Sequence, residues 1–191
     1  MCGSHTTLDQ LSGSSFAHTV AFNREIGNRN LILPGLPPEY HTLDGWMRAA
    51  ALLNGLAERL RPFDMRIGYH NHAVEFTPIG NEVPWDLLCR ATQPSVIMQM
   101  DLGNARIGRA DPIAFLRRYP GRTWSIHVKD CRPGEPDLML GSSNFDWRVL
   151  SNTCQTVAGT HWYLIEHESK EQPSIAAAAE NPARFRRLCP E

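Results

Sequence analysis

The chain has 191 residues, of which 42% are hydrophobic and 20% are charged, and its formal net charge is −1. This composition is that of an ordinary globular protein, and the length suits one domain with a sizeable core. No strongly basic segment predicts a nucleic-acid surface, and no apolar run approaches the ~18 residues that a membrane helix needs. We therefore expect neither nucleic acid nor a membrane as a partner.

The five cysteines are scattered and form no C-x-x-C pair. An odd, scattered set argues against a disulfide framework and against a zinc knuckle. The first residues also lack the basic and apolar regions of a secretory signal. The sequence thus predicts a reducing, cytoplasmic location.

Apolar segments alternate with helical patterns along the chain. Residues 2–13 are interpreted as a loop or the tail of a strand, and the residues after Asp130 as a loop that lasts to Gly141. Helices are predicted over residues 15–26, 42–61, 83–89, 111–119, 146–158 and 174–188. Strands are predicted over residues 30–33, 65–69, 95–100, 123–128 and 161–165. This alternation predicts right-handed βαβ units and a parallel sheet in one domain over residues 1–191.

Side chains that bind metals or move protons stand at or just beyond the ends of four predicted strands. They are Glu75, Asp101, His127 and Glu166. The carboxyl ends of parallel strands emerge on one face, and in a barrel that face holds the active site. Three carboxylates and one imidazole suit a single divalent cation, with manganese, magnesium, cobalt or zinc favoured over a metal selected by thiolates. The residues alone also permit a simpler interpretation, in which these side chains satisfy only local hydrogen bonds.

Six short motifs occur in a fixed order along the chain. They are Y-H-N-H-x-x-E-F at 69–76, D-x-G-N at 101–104, G-x-x-D-P at 108–112, P-G-R at 120–122, H-V-K-D at 127–130 and W-Y-L-I-E at 162–166. The ordered set resembles the xylose isomerase-like TIM-barrel superfamily, in its sugar phosphate isomerase/epimerase branch. The resemblance spans nearly the whole chain and implies an α/β fold of the xylose isomerase-like (β/α)8 TIM-barrel type.

The resemblance also implies a metal site and a reaction. The implied ligands of one divalent ion (Mn, Mg, Co or Zn) are Glu75, Asp101, His127 and Glu166. The implied activity is that of a sugar or sugar phosphate isomerase or epimerase, which transfers a proton next to a metal-bound carbonyl. Glu75 and Glu166 would be the catalytic carboxylates, because a weakly acidic C–H needs a base beside a Lewis acid.

Further side chains would surround this centre. Those expected to contact the hydroxyl groups of a small sugar or polyol substrate are His70, His72, Asn104 and Lys129. Asp130 would support His127 or Lys129 from behind. In some sugar epimerases the carboxylate of the first of these strands comes several residues earlier, so either His70 or Glu75 would be the metal ligand.

The chain departs from the pattern of that superfamily in three places. A complete barrel needs ~250 residues, and residues 3–5 resemble the end of the third strand of that superfamily, so the resemblance implies an incomplete, N-terminally truncated barrel of about six βα units. Asn104 stands where sugar epimerases often have a histidine, and residues 141–143 replace a loop that usually has a second glycine. Two alternatives remain. One is a dehydratase of a cyclic polyol ketone, which would use the same site and begin by removing the same kind of proton. The other, suggested by the missing units, is a catalytically silent barrel that serves as a binding or oligomer component. The chain could form a homo-oligomer under any of these interpretations.

Overall fold

The structure is a computed structural model that describes residues 1–168 and 174–190. The chain divides into two compact units, Met1–Gln99 and Met100–Glu191. The prediction of one domain over residues 1–191 therefore stays a prediction. Among the helices described, none has both the length and the apolar character of a membrane span.

The first unit contains parallel strands separated by helices. Its elements are β1 (Ser4–His5), α1 (Ser15–Glu25), β2 (Asn30–Leu33), α2 (Leu43–Leu60), β3 (Arg66–His70), α3 (Pro84–Ala91) and the first residues of β4 (Ile97–Asp101). Strand β2 pairs with β1 and with β3, and β3 pairs with β4. Every residue of β2 is buried, as its apolar run predicts for a strand that is covered on both faces.

Helix α2 shows how the sequence sets the boundaries of an element. The hydroxyl oxygen of Thr42 accepts a hydrogen bond of 3.0 Å from the backbone N–H of Gly45, which caps the first turn. Trp46, Leu53 and Leu60 recur at helical spacing and are fully buried. A Cβ atom on Gly45 would lie 2.4 Å from the carbonyl oxygen of Tyr40, so only glycine fits at this turn.

The second unit begins with the end of β4 and continues the series. Its further elements are α4 (Leu102–Ile107), α5 (Pro112–Arg118), β5 (Ser125–Val128), β6 (Asp130–Arg132), β7 (Glu135–Leu138), α6 (Trp147–Thr153), β8 (Trp162–Ile165) and α7 (Ser174–Leu188). Strand β5 pairs in parallel with β4 and with β8, whereas β6 and β7 form a separate antiparallel hairpin.

The predicted fold class is confirmed. Among the described residues, six parallel strands follow one another, and each pairs with the next one along the chain. Two local predictions were wrong: the loop expected up to Gly141 contains the hairpin β6–β7, and the short helix α4 was not expected. The hairpin and α4 both lie next to the residues that the sequence singles out.

Candidate metal centre

Three of the four predicted metal ligands come together within the second unit. Asp101 ends β4, His127 is its register partner on β5, and Glu166 directly follows β8. One ligand atom from each of these three side chains lies within 4.8 Å of the others. Nδ1 of His127 is 2.5 Å from Oε2 of Glu166 and 3.9 Å from Oδ2 of Asp101. His127 and Glu166 are thus hydrogen-bonded to each other here, and two carboxylates and one imidazole grouped in this way form a donor set that suits a divalent cation of the manganese, magnesium or zinc type.

Burial of Asp101 supports this interpretation. The residue is 0% exposed, and burial raises the pKa of its carboxyl to about 6, although a hydrogen bond from Asn104 works in the opposite direction. That bond joins the backbone N–H of Asn104 to Oδ1 at 2.6 Å and caps α4. A buried carboxylate needs positive charge beside it, and a cation held with His127 and Glu166 would supply it.

The surroundings of Glu166 lower the pKa of its carboxyl, whereas those of Asp101 raise it. A hydrogen bond with His127 lowers the pKa of the Glu166 carboxyl to about 2, against the effect of burial, and Lys129 lowers it further. Nζ of Lys129 lies 3.0 Å from Oε1 of Glu166 and also binds the carboxylate of Glu168. Burial works against the Lys129 ammonium, but the bonds to Glu168 and Glu166 outweigh it and raise its pKa. Glu166 is therefore ionised at neutral pH.

The glycine of the D-x-G-N motif makes room for Lys129. A Cβ atom on Gly103 would lie 2.7 Å from Cγ of Lys129, closer than any tolerable contact. The aliphatic part of Lys129 thus passes directly over the first turn of α4, and Lys129 as a whole is only 5% exposed. A packing requirement explains why glycine stands two residues after Asp101.

Asp130 does not have the predicted role of supporting His127 or Lys129. Its Oδ2 accepts hydrogen bonds of 3.0 to 3.1 Å from the three backbone N–H groups of residues 141–143. Its Oδ1 accepts bonds from Nη1 of Arg106 at 3.2 Å and from the hydroxyl of Ser143. The carboxylate therefore organises the loop that departs from the superfamily pattern.

Glu75 lies in the first unit and is engaged there. It belongs to a short 3-10 turn (Val74–Phe76) and is 1% exposed. Its Oε1 accepts a hydrogen bond of 2.7 Å from the hydroxyl of Tyr69, and its Oε2 accepts one of 2.7 Å from the backbone N–H of His72. Burial and the carboxylate of Glu75 raise the pKa of Tyr69. Glu75 thus fixes the turn after β3, while its role as ligand and base stays a prediction.

The histidines predicted to bind substrate belong to a row of imidazole rings in the first unit. The ring centroids of His70 and His72 are 5.1 Å apart, and His5 is 5.0 Å from His70. Nε2 of His5 lies 3.1 Å from Oε1 of Gln99. His72 also lines an open groove of about 350 Å³. Sequence reasoning did not select His5, although it ends β1, and it did not select Gln99, which lies in the middle of β4.

The comparisons with known proteins bear on the fold and on the class of protein. No protein-family model matches the chain. An inosose dehydratase of Lacticaseibacillus casei is 33% identical over 153 residues, which are 76% of this chain and 51% of that protein. The chain thus spans about half the length of the curated relatives that it matches.

Solved structures show the fold. A sugar phosphate isomerase/epimerase from Parabacteroides distasonis matches with a TM-score of 0.81 and 21% identity, over 98% of this chain and 70% of that one. The IOLI protein, solved with a zinc atom, matches with a TM-score of 0.71 and 12% identity, over 92% of this chain and 68% of that one. The chain therefore has the xylose isomerase-like TIM-barrel fold, as its motifs indicated. The relatives that share the fold include isomerases, epimerases and dehydratases.

Proposed function

We propose that this chain acts as a divalent-metal-dependent enzyme that removes a proton next to a carbonyl group of a sugar or a polyol ketone. The observation that supports this most strongly is the convergence of Asp101, His127 and Glu166 at neighbouring strand ends. The zinc atom of the IOLI structure is consistent with a metal in this fold. Manganese, magnesium, cobalt and zinc all remain candidates.

The three converging side chains would hold the ion, and Glu166 would also accept the proton. A divalent ion at this place supplies a Lewis acid, which stabilises negative charge that develops on the carbonyl oxygen. Glu166 is ionised as a base must be, but its pKa of about 2 makes it a weak base while His127 and Lys129 both bind it. Release of the hydrogen bond with His127, which lowers the pKa most, or of the one with Lys129 would strengthen the base. Glu75 remains the proposed second proton carrier, and His70, His72 and Asn104 the proposed contacts to hydroxyl groups.

We favour elimination of water as the outcome of the reaction. The base takes the proton next to the carbonyl, and the C–O bond on the neighbouring carbon breaks. The leaving hydroxyl takes up the proton removed from carbon, so the substrate becomes an unsaturated product and one water. The relative that is 33% identical is an inosose dehydratase, whereas the isomerase/epimerase structure is only 21% identical. Isomerisation or epimerisation, in which a proton returns to carbon, is the second candidate and uses the same first step.

The charges around Lys129 favour a substrate without a phosphate group. Its ammonium is bound by the carboxylates of both Glu166 and Glu168. The positive charge is thereby compensated, which disfavours a phosphate dianion beside it. We therefore propose an unphosphorylated polyol ketone as substrate, ahead of a sugar phosphate. The cytoplasmic location and a homo-oligomeric state stay proposals as well.

The experiment measures proton exchange and loss of water together. The purified protein, supplied with Mn²⁺, is incubated in D₂O with a panel of inososes, ketoses and ketose phosphates. Mass spectrometry then detects deuterium in the substrate and a product lighter by one water. We expect both signals from an inosose and neither from Glu166→Gln. Metal binding without exchange into any compound of the panel would contradict the proposal and favour a catalytically silent barrel.

A further inference from the structure

Glu166 begins an irregular segment, so its position depends on contacts outside β8. Its backbone N–H donates a hydrogen bond of 3.1 Å to the carbonyl of Val128, and residues 166–168 form no regular element. The Glu166 side chain is 27% exposed, yet it must keep its carboxylate against His127 and Lys129. A ligand on such a segment holds its geometry only if neighbouring groups fix the backbone.

Asp137 on β7 supplies contacts of this kind. Its Oδ2 accepts a hydrogen bond from the backbone N–H of Glu168. Its Oδ1 lies 3.2 Å from Nδ1 of His167, a close approach whose geometry is not that of a hydrogen bond. The side chains of Asp137 and His167 are only 11% and 7% exposed. One carboxylate of the hairpin therefore touches both residues that follow Glu166.

The burial of the Asp137 side chain indicates that these contacts have a structural role. Burial of a carboxylate costs free energy unless hydrogen bonds or charges compensate it. The neighbouring ion pair of the hairpin, between Arg132 and Glu135, is exposed and joins residues three apart in the chain. Asp137 instead reaches residues 30 and 31 positions later, so its burial serves the segment after β8 and not the hairpin alone.

We propose that Asp137 is a positioning residue for Glu166. By accepting the hydrogen bond from the backbone of Glu168, and by packing against the His167 ring, it keeps the Glu166 carboxylate beside His127 and Lys129. The inference rests on the proposed function, because it concerns Glu166 as a metal ligand. Groups that orient a ligand from outside the coordination sphere change metal affinity by about 10- to 100-fold when removed.

The test is the Mn²⁺ dissociation constant of the full chain, measured by titration calorimetry without substrate. Asp137→Ala is expected to weaken Mn²⁺ binding by about 10- to 100-fold. Asp137→Asn keeps an acceptor oxygen for the Glu168 N–H and is expected to bind Mn²⁺ almost as the wild type does. Asp137→Glu keeps the charge but moves the carboxylate by one methylene, and is expected to bind more weakly than Asp137→Asn. Glu135→Gln, on the same hairpin, is the control and should change nothing.

The outcomes separate the two claims. A wild type that binds no Mn²⁺ would overturn the metal centre and the inference with it. A wild type that binds Mn²⁺ as tightly as Asp137→Ala would overturn the positioning role and leave the proposed function intact. If Asp137→Ala does not fold, the order of the other two variants decides. Equal affinity of Asp137→Asn and Asp137→Glu would then contradict the inference.

Discussion

At the scale of single residues, two carboxyl groups of the candidate metal centre have pKa values shifted in opposite directions. Burial raises the pKa of Asp101 to about 6, whereas the hydrogen bond with His127 is the main reason that the pKa of Glu166 falls to about 2. Both carboxyl groups lie near the imidazole of His127. In the metal-free protein, Asp101 therefore takes up a proton at a higher pH than Glu166 does. Below about pH 6, Asp101 is the group whose proton a metal ion must displace.

The shift of Asp101 predicts a pH-dependent stability of the metal-free protein. Its pKa rises from 3.8 to about 6 on folding, so the folded state keeps a proton that the unfolded chain releases between these values. The wild type therefore loses stability as the pH rises through this window, by up to about 3 kcal/mol. Asp101→Asn lacks this titrating carboxyl, so its stability should not fall in this way. The contribution of Glu166, lost only as the pH falls towards about 2, is common to both proteins.

The measurement is urea unfolding of both proteins in the presence of a chelator, at several pH values between about 4 and about 7. As the pH rises, the free energy of unfolding of Asp101→Asn should increase relative to that of the wild type. A difference between the two proteins that does not change with pH would show that Asp101 is not a buried carboxyl with a raised pKa.

Glu166 is the residue with the most direct predicted effect on turnover. Glu166→Gln keeps the shape and an oxygen that can accept from Lys129, but it removes the charge and the basicity. We expect proton exchange into an accepted substrate to fall by about 10²- to 10⁴-fold, the usual contribution of a general base. Exchange rates from nuclear magnetic resonance, with circular dichroism to confirm folding, provide the check. Near-normal exchange would mean that another group takes the proton.

At the scale of elements, the packing of α4 against Lys129, the residue that follows β5, depends on Gly103. Alanine is normally preferred to glycine in a helix by up to about 1 kcal/mol, but a Cβ atom here would overlap the Lys129 side chain. Overpacking costs about 1–3 kcal/mol, so the clash should outweigh the gain in helix propensity. Gly103→Ala is therefore expected to lower stability and to weaken Mn²⁺ binding through displacement of Lys129.

Gly55 in α2 provides a matched control. It also lies in a helix, but nothing lies within 4 Å of the place where its Cβ atom would be. Gly55→Ala should stabilise the protein by up to about 1 kcal/mol. Thermal unfolding of both variants makes the comparison. The same sign of effect at both positions would contradict the steric explanation of Gly103.

The elements that the sequence predicted are those with a clear apolar pattern. The strand over residues 30–33 and the helix over residues 174–188 match the structure, and α2 differs by one residue at each end. The hairpin β6–β7 was missed because its strands have few apolar residues and include Pro136. Helix α4 has six residues, too few for a periodic pattern, and it starts directly after a strand.

In the candidate site, too, some residues could be predicted from the sequence and others could not. Asp101, His127 and Glu166 could be predicted because each one lies at the end of a strand or next to it, and the parallel register brings such residues together. Asp137, His167 and Glu168 could not, because their contacts depend on a hairpin that has no sequence signal. Asp130 was misassigned for a related reason. Its partners are Arg106 and the loop over residues 141–143. They are distant in sequence, and only the three-dimensional fold brings them next to Asp130.

At the scale of the whole molecule, the fold alone leaves the reaction open. The same fold occurs in an isomerase/epimerase and in the zinc-containing IOLI protein, and the sequence relatives are inosose dehydratases. Function resides in the site that a fold carries. The claim common to every catalytic interpretation is that the second unit binds a divalent ion through Asp101, His127 and Glu166.

Metal binding therefore tests the central claim most directly, by elemental analysis and by thermal unfolding with and without Mn²⁺. We predict about one ion per chain and an unfolding temperature that rises with Mn²⁺, since a ligand at ~100 times its dissociation constant stabilises a protein by about 2.7 kcal/mol. His127→Ala should lose most of this shift, while His18→Ala, which removes an exposed imidazole of α1, should keep it. A wild type that retains no divalent ion and shows no shift with Mn²⁺, or a His127→Ala variant that binds as the wild type does, would contradict the assignment of this metal centre.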